Sequence, residues 1–299
     1  MLATAHSVAA DEGTVARELH EQLGEGHTLV LFFASSKQRA QALACALATA
    51  FPGARVAGCS TMGEVGPKGL TTGGVSALGL GKPCRVAAQV VQEARGFHFV
   101  HGMELVRSLS AELQVSELRP QRHVLVTLTD GLCGAEERLV AALGLAAPRV
   151  DLVGGSAADD LDLVQTWVSL DGVVYPSASL VLALEPNQPF RAFQIHHFDA
   201  TERRVVVTSS DPDRRVVKEL DGFPAAEVMA ELLEVDVEVF REQTLLPSER
   251  DVSFAYAIGG QSFMRSPMQI LGSELVMRGA VEEGVVLRVM RGGDLVDRT

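Results

Sequence analysis

The chain has 299 residues, of which 47 % are hydrophobic and 21 % are charged. This length and composition predict one or two globular domains and exclude a disordered or low-complexity protein. The net charge of −12 argues against a protein that binds the phosphate backbone of nucleic acids.

The lack of a recognisable targeting signal and the spacing of the cysteines favour a cytoplasmic location. No run of apolar residues reaches the length of a transmembrane helix, and the first eleven residues lack the pattern of a secretory signal. The four cysteines contain no CxxC pair, so we expect reduced thiols and no zinc ribbon.

Residues 27–64 align without a gap with residues 123–160, and ten of the 38 positions are identical. Each copy begins with an apolar run of strand length, followed by a helical pattern that ends at Pro52 or Pro148. A short apolar strand then leads into a loop of small residues. The pattern predicts an internal duplication of a β-α-β-loop-β unit.

The two loops, 58–64 and 154–160, are the candidate binding site. Glycines let a ligand approach the backbone, consecutive N–H groups can hold an anion, and serine with a carboxylate suits an amine or hydroxyl group. An ordinary tight turn is the alternative for either loop alone. The candidate ligand-binding residues are Gly58, Cys59, Ser60, Thr61, Gly63, Glu64, Gly154, Gly155, Ser156, Asp159 and Asp160.

After the first loop we expect strands at Gly73–Gly81 and Cys84–Gln92, then a helix at about Met103–Leu113. After the second loop, Asp171-Gly172 predicts the turn of a hairpin that the first copy lacks. The break at Pro186–Pro189 suggests a domain boundary, so we expect domains at 1–187 and 188–299.

The second domain is expected to be smaller and rich in strands. Its predicted strands are Phe190–Phe198, Arg203–Ser209, Phe254–Ile258, Met268–Gly272 and Val285–Arg291, with a helix that starts at Pro224. The predicted fold class is therefore α/β, with mixed sheets built from the duplicated unit, followed by a β-rich α/β domain.

Three segments resemble the FIST family of bacterial sensory proteins. They are VAGCSTMGE at 56–64, LVGGSAADD at 152–160 and ELDGFPAA at 219–226. The resemblance implies an N-terminal and a C-terminal FIST domain. It also implies that the chain is a non-catalytic input module for signal transduction that binds a small ligand such as an amino acid. A histidine kinase or a cyclic-di-GMP enzyme is the partner that it implies. Because family members continue further, we expect the C-terminal domain to be incomplete.

Two alternatives stay open. Some relatives bind haem and sense nitric oxide, and here His196 and His197 are the candidate axial ligands of a non-covalent haem b. An enzyme is the less favoured alternative. Its nucleophile would be Cys59, and backbone N–H groups near this residue would lower the pKa of the thiol. Asp159-Asp160 has no accompanying metal-site spacing, so no metal is expected.

Overall fold

The structure is a computed structural model that describes residues 2–67, 69–160, 162–194, 196–241, 252–258 and 261–293. The chain divides into two compact units, Met1–Ala192 and Phe193–Thr299. In the described residues none of the helices is both long and apolar enough to span a membrane. The assignment of the two predicted family domains, 1–187 and 188–299, stays a prediction.

The first unit contains twelve strands and four α-helices among its described residues. In chain order they are β1 (Leu2–Ser7), α1 (Glu12–Leu23), β2 (His27–Ser35), α2 (Ala40–Ala50), β3 (Arg55–Thr61), β4 (Glu64–Gly66), β5 (Gly69–Thr71), β6 (Val75–Gly81), β7 (Arg85–Val91), α3 (Phe99–Glu112), β8 (Val124–Asp130), α4 (Glu136–Ala146), β9 (Asp151–Ala157), β10 (Val168–Leu170), β11 (Val173–Tyr175) and β12 (Ser179–Glu185).

Two sheets of this unit share one topology. The first has the order β1-β6-β2-β3-β10-β11, and the second has the order β7-β12-β8-β9. In both, the third and fourth strands are parallel and the other pairings are antiparallel. We call Leu2–Gly81 repeat 1 and Arg85–Glu185 repeat 2. The repeated unit is therefore longer than the 38 residues in which the sequences visibly agree.

The two sheets pack face to face, and the helices cover their outer faces. Leu29 and Leu31 of β2 point into the core between the sheets, whereas Val30 and Phe32 pack beneath the helices of repeat 1. The second sheet is covered in the same way by α3 and α4. A strand that is buried on both faces needs a continuous apolar run, and the sequence of β2 supplies one.

A β-hairpin follows β3 in repeat 1 and β9 in repeat 2, which are the third strands of their repeats along the chain. The predicted turn at Asp171-Gly172 joins β10 to β11, and β10 adds antiparallel to β3 of the other repeat, with Val168 opposite Cys59. Repeat 1 has its own hairpin, β4–β5, whose strands pair with each other and with no other strand of the described residues. The prediction that only the second copy carries a hairpin is therefore wrong. The strands of β4–β5 are only three residues long and rich in glycine, which gives little strand signal.

The second unit is a curled sheet of eight strands with two helices among its described residues. Its elements are β13 (Phe198–Asp211), β14 (Val216–Leu220), β15 (Phe223–Pro224), α5 (Ala225–Leu233), α6 (Val237–Arg241), β16 (Val252–Ile258), β17 (Gln261–Arg265), β18 (Pro267–Leu271), β19 (Glu274–Met277) and β20 (Val286–Gly292). The strand order is β17-β16-β20-β13-β14-β19-β18, with β15 beside β14. Side chains of α5, with Phe240 and Phe254, fill its core.

One predicted strand of the second unit is wrong. No strand covers residues 190–194 or 196–197, and β13 begins at Phe198. Phe190 instead packs against the core between the two sheets of the first unit, and it is not part of a β-strand. The other predicted strands overlap β13, β16, β18 and β20, and Pro224 is the N-cap of α5. The predicted fold class, α/β with mixed sheets, is confirmed.

Candidate functional site

The fold brings the two candidate loops together at the carboxyl ends of β3 and β9. The backbone N–H of Ala158 donates to the carbonyl oxygen of Ser60 over 3.0 Å. Lys37, in the loop after β2, forms an ion pair with Asp160, with 3.0 Å between Nζ and Oδ2. In sheets with parallel strands the crevice outside the carboxyl ends is the usual place for a ligand.

Two of the candidate glycines serve close packing. A Cβ on Gly58 would lie 2.4 Å from the carbonyl oxygen of Phe32, and a Cβ on Gly154 would lie 2.0 Å from that of Thr127. Both contacts are between neighbouring parallel strands. At these positions glycine is required by the neighbouring strand of the protein itself.

Ser60, Thr61 and Glu64 are held by internal hydrogen bonds. Ser60 is fully buried, and its Oγ accepts from the N–H of Trp167 over 3.2 Å. The Glu64 carboxylate is also buried, and its oxygens accept from the Thr61 hydroxyl at 2.8 Å and the Gly74 N–H at 3.0 Å. These side chains fix the shape of the first loop and link it to β6.

Asp159 organises the second loop. Its carboxylate accepts hydrogen bonds from the backbone N–H groups of Leu163, Val164 and Gln165, at 2.7–3.1 Å. Burial raises the pKa of Asp159, but the three N–H donors stabilise the anion more, and the net pKa is below its ordinary value. Asp159 is therefore ionised at neutral pH and already saturated with donors.

The polar groups that solvent reaches lie mostly on the second loop. The Ser156 hydroxyl, on the exposed part of β9, donates to Oε1 of Glu136 at the start of α4 over 2.8 Å. Gly155 is exposed, and a Cβ there would meet no atom within 4 Å. Gly63, in the first loop, is half-buried beside Leu70. The accessible groups are thus the Lys37 ammonium, the carboxylates of Asp160 and Glu136, the Ser156 hydroxyl and the backbone at Gly155.

Cys59 has the wrong environment for a nucleophile. Its side chain is buried in the apolar core between the two sheets. This burial raises the pKa of the Cys59 thiol to about 12, so the thiolate is scarce at neutral pH. The predicted lowering of this pKa by N–H groups is wrong.

His196 and His197, the candidate haem ligands, lie outside the described strands. Both are half-buried, and they precede β13, so strand alternation does not direct either ring inwards. Nδ1 of His196 is buried, with no hydrogen-bond partner among the described residues, and the ring of His197 lies tilted against Phe198, with 4.2 Å between the ring centroids. The described residues contain no group of three His, Cys, Asp or Glu side chains that could hold a metal.

Three residues of the site were missed by sequence reasoning: Lys37, Glu136 and Asp130. The Asp130 carboxylate, at the end of β8, accepts from the N–H groups of Leu132 and Ser177 and from the Thr166 hydroxyl. An aspartate that ends an apolar strand and is followed by Gly131 was the available signal. Lys37 and Glu136 occupy non-equivalent positions of the two repeats, so comparing the copies could not reveal them.

Comparison with known proteins decides the family. A family model described as the FIST N domain matches residues 28–223, about two thirds of the chain. The chain belongs to the FIST family. FIST domains are sensory, signal-transduction domains. No curated protein matches this chain. The FIST match includes both candidate loops and extends through Phe223 of the second unit.

Proposed function

We propose that this FIST protein senses a small zwitterion, such as a free amino acid, at the surface where its two loops meet. The observation that carries the proposal is the ion pair between Lys37 of repeat 1 and Asp160 of repeat 2. This pair places one positive and one negative charge next to each other, one on each repeat.

A zwitterion can replace this ion pair with two of its own. The ligand carboxylate would bind Lys37 and the backbone N–H groups near Gly155, while its ammonium would bind Asp160 and Glu136. The Lys37 side chain is 64 % exposed, and exposed ion pairs contribute only about 0–1 kcal/mol, so separating the two charges costs little. The ligand's own charges then satisfy both side chains.

Such a ligand would couple the two repeats. Lys37 follows β2 and Asp160 follows β9, so a molecule held by both bridges the two sheets of the first unit. A signal would then pass to a separate partner, for which we propose a histidine kinase or a cyclic-di-GMP enzyme.

Calorimetric titration with a panel of free amino acids tests the proposal. We expect heat of binding from at least one of them, and we expect Lys37→Gln or Asp160→Asn to weaken it by about tenfold to a hundredfold, since each removes a charged hydrogen bond. Glu117→Gln is the matched control, because it breaks another exposed ion pair, with Arg119. A panel that gives no heat, or variants that bind as the wild type does, would contradict the proposal.

Haem binding through His196 or His197 stays a prediction. Absorption spectra after addition of haem test it: a Soret band that disappears in His196→Ala or His197→Ala would support it, and no band would remove it.

A further inference from the structure

Strand β9 forms an open edge of the second sheet. It is the last strand of the order β7-β12-β8-β9, and residues 153–156 are all exposed. The equivalent strand of repeat 1, β3, is instead covered by β10 at residues 57–59. Edge strands with free N–H and C=O groups pair readily with another strand unless charge, proline or a bulge protects them.

The exposed side of helix α4 continues this open surface. Val140, Ala141, Gly144 and Leu145 are exposed, with Val140 at 47 % and Leu145 at 66 %. We call residues 153–156 and this side of α4 the β9–α4 surface. An apolar helix side next to a free sheet edge is a combination that proteins use for binding another chain.

Repeat 1 shows what covers such a surface. There hairpin β10–β11, which belongs to repeat 2, pairs with β3 and also packs on α2. Gln41 of α2 donates to the carbonyl of Gly172 over 2.7 Å and accepts from the N–H of Val174 over 3.2 Å. Ala44 of α2, which is equivalent to Val140, is fully buried there. In repeat 1 the equivalent surface is therefore covered by a short β-hairpin.

We propose that, when no ligand is bound, the β9–α4 surface binds hairpin β4–β5 of a second copy of this chain, so that the ligand and the hairpin compete for the edge at Gly155. Along the chain this hairpin follows β3 of repeat 1, just as β10–β11 follows β9 of repeat 2. Both hairpins consist of two three-residue strands joined by two residues. In the part of the chain that the structure describes, its strands belong to no larger sheet, and its apolar side chains are exposed, Val65 at 75 % and Leu70 at 73 %.

Charge also fits this hairpin. Asp171, in the turn of hairpin β10–β11, forms an ion pair with Arg55 of repeat 1, with 2.9 Å between Oδ2 and Nε. At the position of Arg55 repeat 2 has the opposite charge, Asp151, which would repel an acidic turn residue, and the turn residue of β4–β5 that corresponds to Asp171 is the uncharged Pro67. Two copies can exchange hairpins reciprocally, which closes a dimer and prevents an open chain.

Light scattering of the full chain and of two variants tests the proposal. We expect the wild type to form a dimer. Val140→Glu on α4 or Val65→Glu on the hairpin should each raise the dissociation constant by about a hundredfold or more, because each places a charge in an apolar interface. Val239→Glu, an equally exposed valine of α6, is the matched control and should leave the dimer intact.

Mixing the two variants gives the decisive result. The intact hairpin of the Val140→Glu protein meets the intact β9–α4 surface of the Val65→Glu protein, so the mixture should recover dimers that neither variant forms alone. Circular dichroism confirms that each variant is folded. The proposal is overturned by a monomeric wild type, by a dimer that either variant leaves unchanged, or by a mixture that stays monomeric.

Discussion

At the scale of single residues, the glycines of the two candidate loops serve different purposes. Gly58 and Gly154 are required because backbone atoms of Phe32 and Thr127 occupy the space of a side chain. Gly155, one residue further, has open space beside it. The sequence predicts that these glycines matter, but it does not distinguish a glycine packed by the protein from one that leaves room for a ligand.

Gly58→Ala therefore tests whether a side chain at position 58 disrupts packing against β2, whereas Gly155→Ala tests whether position 155 has room for a side chain. We expect Gly58→Ala to lower the free energy of unfolding by about 1–3 kcal/mol or more, since the new methyl group overlaps the Phe32 carbonyl. Gly155→Ala should change it by less than about 0.5 kcal/mol. Urea denaturation of both variants measures this, and equal stability of the two would contradict the assignment.

Cys59 predicts a loss of stability in alkali. Burial raises the pKa of its thiol from 9.0 to about 12, so above pH 9 the unfolded chain loses a proton that the folded chain keeps. The free energy of unfolding should then fall by up to about 1.4 kcal/mol per pH unit from this residue.

Urea denaturation at a series of pH values above 9 checks this, with Cys59→Ala as the comparison. The variant should lose stability less steeply with rising pH. Parallel curves for the two proteins would show that Cys59 ionises normally in the fold.

At the scale of elements, local patterns and long-range pairings differ in how well they can be predicted. The helices α2 and α4 and the strands β3 and β9 follow from apolar periodicity and the two prolines, because those signals are local. The pairing of β10 with β3 joins residues more than a hundred positions apart, and no local pattern encodes it. For the same reason the sequence predicted the two loops but not the Lys37–Asp160 ion pair between them.

Asp171 attaches hairpin β10–β11 to β3, and its replacement should release that edge. Its Oδ1 accepts from the N–H of Val56 over 2.9 Å, and its Oδ2 pairs with Arg55. We expect Asp171→Ala to destabilise the chain by about 1–3 kcal/mol. Hydrogen exchange of residues 56–60 should become faster.

The amides of β9 provide an internal reference, because no hairpin of the described residues pairs with β9 in a single chain. Asp171→Asn, which keeps an acceptor for Val56 but loses the charge, should have a smaller effect. Unchanged exchange in β3 would mean that the hairpin is held without Asp171.

At the scale of the whole first unit, packing of the two sheets creates the candidate site. Neither repeat alone contains both Lys37 and Asp160, and the Ala158–Ser60 hydrogen bond aligns the two loops. The family match supports sensing as the general role, and this arrangement suggests how a ligand would be detected. Most candidate side chains shape the loops, so a few exposed groups are left for the ligand.

The most direct test of this account is a calorimetric titration of Gly155→Val with the amino acid that binds the wild type best. A valine at position 155 extends into the open space beside β9, where a Cβ meets no atom within 4 Å. Gly96→Val extends into open space elsewhere and serves as the control. We predict that Gly155→Val abolishes binding and that Gly96→Val binds as the wild type does. Undiminished binding by a folded Gly155→Val protein would show that the ligand does not lie where the two loops meet.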